Sequence, residues 1–121
     1  MEQIKNFLEK YEEVWWDISA TDCPYPCTDI ICEILNEEDY YGQDFSENNV
    51  FQLFYSGASN YFVGTPVGNG TKNSPVHYYD AFDEQETYFG TFHDYIIALL
   101  EYYKGDGEIL NEVVHDSNQL M

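Results

Sequence analysis

The stretch SPVHYYDAFDEQETYFGTFHDYIIALLEYY, which runs from Ser74 to Tyr103, contains the elements that decide the fold. Its pattern predicts a strand, an acidic turn, a second strand and then a helix. Thr91 begins the helix and, with Asp94 three residues later, resembles a capping box in which Asp replaces the usual Glu. Two strands followed directly by an amphipathic helix indicate an α+β domain whose helix packs on the sheet.

Short runs of aromatic and β-branched residues, separated by Gly, Asn and Ser, also occur upstream as far as Val50. The runs VFQLFY, NYFVG, PVHYY and ETYFG predict an antiparallel sheet of about four strands across residues 50–90. We expect an N-terminal helical half and a C-terminal helix to pack against this sheet. The segment EILNEVVHD is expected to return over the C-terminal helix. At 121 residues, the chain is expected to form a single domain, residues 1–121.

Apolar residues recur at helical spacing between residues 4 and 18, which predicts an amphipathic helix with acids on its other side. The apolar residues are Ile4, Phe7, Leu8, Tyr11, Val14, Trp15 and Ile18. Trp16 falls among the acids and breaks this pattern. In the slightly favoured interpretation, the helix frays near Ile18 or the following DCPYPC loop folds over the indole. In the other, Trp16 is an exposed anchor ringed by carboxylates.

A second, shorter helix is expected after the two prolines of DCPYPC. Thr28 or Asp29 would cap its first turn. Its apolar residues would be Ile30, Ile31, Ile34 and Leu35.

The charge of the chain is strongly one-sided. It has 23 Asp plus Glu, four Lys and no Arg, for a net charge of -19. Direct binding to nucleic acid or to an anionic membrane surface is therefore not expected, because both need Lys and Arg. Residues 49–79 contain no acid at all, so the negative charge is segregated to the two flanking parts. This distribution favours a basic protein as the partner.

The opening MEQIKNFLEKYEEV is polar, without a cationic segment leading into an apolar one, so no secretion signal is expected there. No apolar run approaches the ~20 residues of a membrane span. A cytoplasmic location is the expectation from these two features.

Cys23, Cys27 and Cys32 form a C-x3-C-x4-C pattern. An odd count argues against a disulfide framework. Zinc binding together with the three distant histidines remains possible, although the spacing lacks the paired C-x2-C of zinc sites. The favoured interpretation is two loop thiols and a helical Cys32 that acts as a small buried hydrophobe.

The sequence lacks the usual catalytic motifs. The sequence has no nucleophile elbow, no phosphate-binding glycine loop and no dinucleotide fingerprint. The acids from Asp80 to Glu86 lack the spaced ligands of a calcium loop. A carboxylate pair of the glycosidase kind is not excluded by sequence, since an acidic chain offers many pairs. We predict no enzymatic activity, no cofactor and no metal.

Residues 51–103 contain a series of short motifs. They are YFVG at 61–64, GNG at 68–70, PVHYYD at 75–80, the acids Asp83 and Glu84, YF at 88–89, and Phe92 before YIIALLEYY. This series resembles the SUKH superfamily, mostly bacterial immunity proteins that neutralise polymorphic toxins, with a yeast regulator of cell-wall synthesis as a relative. The resemblance implies an α+β fold and tight protein binding without catalysis.

These features predict a non-catalytic acidic inhibitor that binds and neutralises a basic protein, in first place an immunity protein against a toxin nuclease. The alternative is a phage-type mimic of nucleic acid that inhibits a host restriction, repair or defence enzyme. In both cases aromatic side chains would form the packed centre of the interface and the acids would steer encounter. The predicted partner-binding residues are Glu9, Glu12, Glu13, Trp16, Asp80, Asp83, Glu84 and Glu86.

Overall fold

A computed structural model describes residues 2–25, 27, 29–34, 50–56, 61–66, 70–80 and 85–121. The described residues form helices that flank an antiparallel sheet. In chain order the elements are α1 (Glu2–Lys10), α2 (Glu12–Ser19), β1 (Asp29–Ile34), β2 (Val50–Ser56), β3 (Tyr61–Pro66), β4 (Pro75–Asp80), β5 (Gln85–Thr91), α3 (Phe92–Leu100) and α4 (Gly107–Asn118).

The sheet is a five-stranded antiparallel meander in the order β1-β2-β3-β4-β5. At the end of β2 Ser56 pairs with Tyr61 of β3, and at the end of β4 Asp80 pairs with Gln85 of β5. The predicted α+β class and the four strands between residues 50 and 90 are confirmed. A fifth strand, β1, is added at the edge, where it pairs with β2.

The predicted second helix is wrong, because residues 29–34 form strand β1. Neighbouring isoleucines are β-branched and have a high strand propensity, and β2 offers them a pairing partner that the sequence pattern did not reveal. Cys32 therefore lies on a strand, where its φ of 49° falls at a register shift between Ile30 and Glu33. It is half-buried rather than fully buried. Thr28 and Leu35 lie outside the described residues.

The N-terminal helix is divided in two at Tyr11. Tyr11 has φ -111° and ψ 31°, and its carbonyl accepts hydrogen bonds from the backbone N–H groups of Val14 and Trp15. The predicted apolar stripe survives the break, since every one of its seven residues is buried. α1 and α2 thus present one continuous apolar side to the core.

The core lies between these helices, α3 and one face of the sheet. The Phe54 ring on β2 contacts Trp15 of α2, with centroids 6.2 Å apart, and Tyr95 of α3, with centroids 6.3 Å apart. Phe7 of α1 contacts Phe92 of α3 at 5.9 Å. α2 and α3 therefore cover the same face of β2.

The start of α3 confirms the predicted capping box. The Thr91 hydroxyl accepts a hydrogen bond from the Asp94 N–H at 3.1 Å, and the Asp94 carboxylate accepts one from the Thr91 N–H at 3.1 Å. The expected return of the tail is α4, which contacts α3 and buries Val113 and Ser117. Ile97 is half-buried at the edge of the core.

Candidate protein-binding surface

Trp16 of α2 is 62% exposed, which decides between the two interpretations of its position. The described residues of the DCPYPC loop leave the indole exposed, and α2 continues past Ile18 to Ser19. Glu12 and Glu13 precede Trp16 by four and three residues on α2, so their side chains lie beside it on the helix surface. Both carboxylates are exposed, and so is Glu9 in the last turn of α1. We call Glu9, Glu12, Glu13 and Trp16 the acidic helix face.

The preceding tryptophan, Trp15, has the opposite environment. It is fully buried, its indole Nε1 donates to the Leu8 carbonyl at 2.8 Å, and its ring contacts Phe7 and Phe54. One residue advances a helix by ~100°, so a buried Trp15 turns Trp16 towards solvent. The orientation of Trp16 therefore follows from the packing of its neighbour.

No ion pair involves the acidic helix face within the described part of the chain. Ion pairs there join Lys10 to Glu112 at 3.4 Å and to Asp116 at 2.8 Å, both on α4. The Tyr11 hydroxyl also donates to the Asp116 carboxylate. Lys10 lies next to Glu9 in sequence but is engaged with α4, so the carboxylates of Glu12 and Glu13 beside Trp16 have no ion-pair partner among the described residues.

The other predicted acids belong to the hairpin between β4 and β5. Asp80 is the last residue of β4 and pairs with Gln85, while Glu86 of β5 pairs with Tyr79. The backbone therefore brings Asp80 and Glu86 to the same end of the hairpin. Asp83 and Glu84 lie outside the described residues. A surface formed jointly by the hairpin acids and the acidic helix face stays a prediction.

The loop after α2 brings two thiols together, a proximity that sequence reasoning missed. Cys23 and Cys27 lie in this loop, close enough for each thiol to shift the pKa of the other. The Cys27 thiol is buried, and its sulfur lies 3.7 Å from the Trp15 carbonyl oxygen. Cys23 is only half-buried, and its thiol lies 3.6 Å from the Tyr25 carbonyl oxygen. The C-x3-C spacing was the available signal, but spacing alone does not give the loop conformation.

The two thiols differ in acidity. The hydrogen bond from Cys27 stabilises the Cys23 thiolate and lowers the pKa of Cys23 to about 7, against the opposing effects of burial and of the nearby Asp22 charge. The same hydrogen bond, together with burial, raises the pKa of Cys27 far above its usual range. Cys23 is therefore the more acidic and Cys27 the proton-retaining member of the pair.

Aromatic contacts fix this loop on the sheet. The Tyr25 ring makes edge-on contacts with Phe89 at 5.0 Å, Tyr78 at 6.3 Å and Tyr102 at 6.4 Å. The Tyr78 hydroxyl donates to the Pro24 carbonyl at 2.7 Å. Pro24 and Tyr25 are thus held in place by β4, β5 and the segment that follows α3.

Other candidate sites are weaker. Within the described ranges, no group of three or more His, Cys, Asp or Glu side chains is placed to hold a metal ion. An open cleft of about 340 Å³ lies between α1 and α4 and includes Lys10 and Asp116. Its charged groups already pair with each other, so the cleft offers a ligand little uncompensated charge.

Comparison with known proteins gives no further assignment: no family model, no curated protein and no solved structure matches this chain. The resemblance of residues 51–103 to the SUKH superfamily therefore stays a prediction. Among the helices of the described residues, none combines the length and the apolar character needed to cross a membrane.

Proposed function

We propose that this protein is a non-catalytic inhibitor that binds and neutralises a basic protein in the cytoplasm, in first place as an immunity protein against a toxin nuclease. One observation carries the proposal: an exposed tryptophan, Trp16, lies beside the carboxylates of Glu12 and Glu13, which make no ion pair with a described cation. Large exposed aromatics of this kind are the side chains that most often dominate the binding energy of protein interfaces.

The tryptophan and the acids have separate physical tasks in this proposal. Trp16 enters an apolar pocket of the partner, and its burial slows dissociation. Glu12 and Glu13 stay at the rim, where they accelerate association with a positive surface and orient it. A net charge of -19 adds a long-range attraction for any strongly basic protein.

A nuclease fits this surface because its nucleic-acid groove must carry Lys and Arg to neutralise phosphates. An acidic protein in that groove excludes the substrate without performing chemistry. The resemblance to the SUKH superfamily agrees with an immunity role. The resemblance does not identify the partner.

The test begins with affinity capture from the source cell at low and high salt, followed by mass spectrometry. We expect a basic protein whose capture weakens as salt increases, because screening reduces the electrostatic share of binding. One equivalent of this protein should then abolish the nuclease activity of the captured partner. Retrieval of no basic protein, or of a partner that stays active when saturated, would reject the proposal.

Variants then locate the interface by surface kinetics. Trp16→Ala should raise the dissociation rate about 30-fold or more, since hot-spot truncations cost ~2 kcal/mol or more. Glu12→Gln with Glu13→Gln should lower the association rate and flatten its salt dependence. The matched control is Glu2→Gln with Glu101→Gln, which removes the same charge from exposed positions elsewhere. If the two double substitutions lowered the association rate equally, the net charge of the protein would set that rate, and not the acidic helix face.

The alternative proposal is a mimic of nucleic acid that blocks a host restriction, repair or defence enzyme. It is favoured by the same net charge, since DNA also presents one negative charge per ~1.7 Å of axis. Gene neighbours separate the two proposals. A toxin gene beside this one supports immunity, and surrounding phage genes support mimicry.

A further inference from the structure

We propose that β5 is a docking edge for an extended basic segment of a partner protein, which joins the five-stranded sheet as a further strand beside Tyr88 and Glu86. The occupant is a segment in which Lys or Arg alternates with apolar or hydroxyl side chains. This inference does not rest on the proposed inhibitor function, because the acidic helix face takes no part in it.

The outer edge of β5 offers backbone groups for pairing. The strand lies at one end of the strand order, so it pairs on one edge only, with β4. Among the described residues, no backbone hydrogen bond from another element reaches the outer edge between Gln85 and Gly90. An edge of this kind presents a row of N–H and C=O groups that an added strand can satisfy.

The opposite edge of the sheet, β1, is a poorer template. It has a register shift between Ile30 and Glu33, and Cys32 within that shift has a φ of 49°. Irregularities of this kind interrupt the row of pairing groups and commonly protect edge strands. β5 also has a register shift, but the shift follows Tyr88, so the residues from Gln85 to Tyr88 stay in regular register with β4.

Tyr88 provides an aromatic contact beside this edge. Its side chain is 59% exposed, and its ring contacts the His77 ring on β4, with centroids 5.4 Å apart. Phe54, which contacts α2 and α3, belongs to the neighbouring row of the sheet register and therefore to the opposite face. Tyr88 thus lies on the face of the sheet away from these two helices.

The charge of the sheet selects a basic segment. Glu86 occupies the position two residues before Tyr88, Asp80 ends the neighbouring strand, and none of the five strands contains Lys or Arg. Burial lowers the pKa of His77, so its imidazole adds no positive charge at pH 7. A Lys or Arg of the added strand gains both from the carboxylates and from the Tyr88 ring. A second copy of this chain, with a net charge of -19, is repelled instead.

The test uses the full chain and a short fluorescein-labelled peptide in which Arg alternates with Val, with binding followed by fluorescence anisotropy. We expect saturable binding of this peptide and none of the matched peptide in which Glu replaces Arg. Two further peptides carry N-methyl groups on one or the other alternate set of residues. Only one set of N–H groups points at β5 in an added strand, so one of these two peptides should bind about tenfold or more weakly than the other.

Variants of the protein then locate the peptide. Tyr88→Ala and Glu86→Lys should each weaken binding about tenfold. The matched control is Glu12→Lys on the acidic helix face, which changes the net charge equally and should weaken binding by less than about threefold. Hydrogen exchange should slow at amides of β5 when the peptide is added. Circular dichroism verifies that each variant is folded.

No saturable binding of the Arg peptide, or equal binding of the two N-methylated peptides, would overturn the proposal. A loss of binding in Glu12→Lys but not in Glu86→Lys would also overturn it. That result would place the peptide on the acidic helix face and leave the inhibitor proposal intact. A chain that sediments as a dimer, and as a monomer in Tyr88→Ala, would show that a second copy occupies β5 in place of a basic segment.

Discussion

Trp15 stabilises the fold through one hydrogen bond and its ring contacts, whereas the Trp16 side chain is mostly exposed to solvent. Trp15→Phe removes the donor to the buried Leu8 carbonyl and leaves space where the larger indole was. We expect the free energy of unfolding to fall by about 1–3 kcal/mol. Trp16→Phe should change it by less than about 0.5 kcal/mol. Urea unfolding followed by far-UV circular dichroism measures both, and equal losses would contradict the assigned environments.

Gly90 makes the turn from β5 into α3 possible. Its φ of 151° is a conformation that L side chains rarely adopt, and a Cβ there would come within 3.0 Å of the Asp94 carboxylate. Gly90→Ala is therefore expected to lower the free energy of unfolding by about 1–3 kcal/mol.

Gly107, in the first turn of α4, provides the matched control for Gly90. A Cβ at Gly107 meets no atom within 4 Å, and its backbone is helical. Gly107→Ala should therefore stabilise the protein by about 0.4–1 kcal/mol, chiefly by reducing the entropy of the unfolded chain. Thermal unfolding of both variants should give shifts of opposite sign. An unchanged free energy of unfolding in Gly90→Ala would show that the turn into α3 is less constrained than its geometry indicates.

The capping box ties the stability of α3 to pH. The Thr91 backbone N–H and hydroxyl, in that order, hold the pKa of Asp94 below its usual value. A carboxylate with a lowered folded pKa contributes stability above its unfolded pKa of ~3.9 and loses that contribution as the pH falls through the folded pKa. Asp94→Asn should therefore be less stable than the parent by about 0.5–1 kcal/mol at pH 7. Below about pH 3 the difference should shrink.

Urea unfolding at several pH values measures this difference directly. The control is Glu101→Gln at the other end of α3, where a carboxylate is exposed and lies near the negative end of the helix dipole. Removing that charge should leave stability unchanged or raise it at pH 7. A gap between the parent and Asp94→Asn that stays constant down to low pH would contradict the assigned role of the carboxylate.

The elements that sequence could predict are those with a long, regular period or a local signal. The stripe from Ile4 to Ile18, the meander and the Thr91 cap are of this kind. Strand β1 was missed because a short isoleucine run fits a helix and a strand equally well, and only pairing with β2 decides between them. The break at Tyr11 was missed because neither proline nor glycine marks it.

The candidate site was predictable to a similar degree. The position of Trp16 among acids follows from helical periodicity alone, but its exposure depends on where the next loop runs. That loop instead packs Tyr25 against Phe89 on the sheet. The proximity of Cys23 and Cys27 depends on the same loop conformation, so neither the exposed indole nor the thiol pair could be assigned from sequence.

The negative charge of the described side chains lies on the outside of the molecule. Every Asp and Glu whose side chain the structure describes is exposed, except Asp116, which is partly buried beside Lys10. Exposed ion pairs such as Lys10 with Glu112 contribute little, typically less than about 1 kcal/mol. Folding therefore brings like charges closer together with little local compensation, which destabilises the compact state.

Added salt should stabilise this protein, because screening weakens repulsion between carboxylates more than it weakens the few ion pairs. The Debye length falls from ~30 Å at 0.01 M to ~10 Å at 0.1 M salt, so most pairs of surface carboxylates become screened across this range. We expect the free energy of unfolding to rise on the order of 1 kcal/mol, measured by urea unfolding in sodium chloride at pH 7. Glu12→Gln with Glu13→Gln changes the net charge from -19 to about -17 and should reduce the rise. A stability that falls with salt would mean that attraction around Lys10 outweighs the repulsion, and the uncompensated surface charge that the inhibitor proposal requires would then be in doubt.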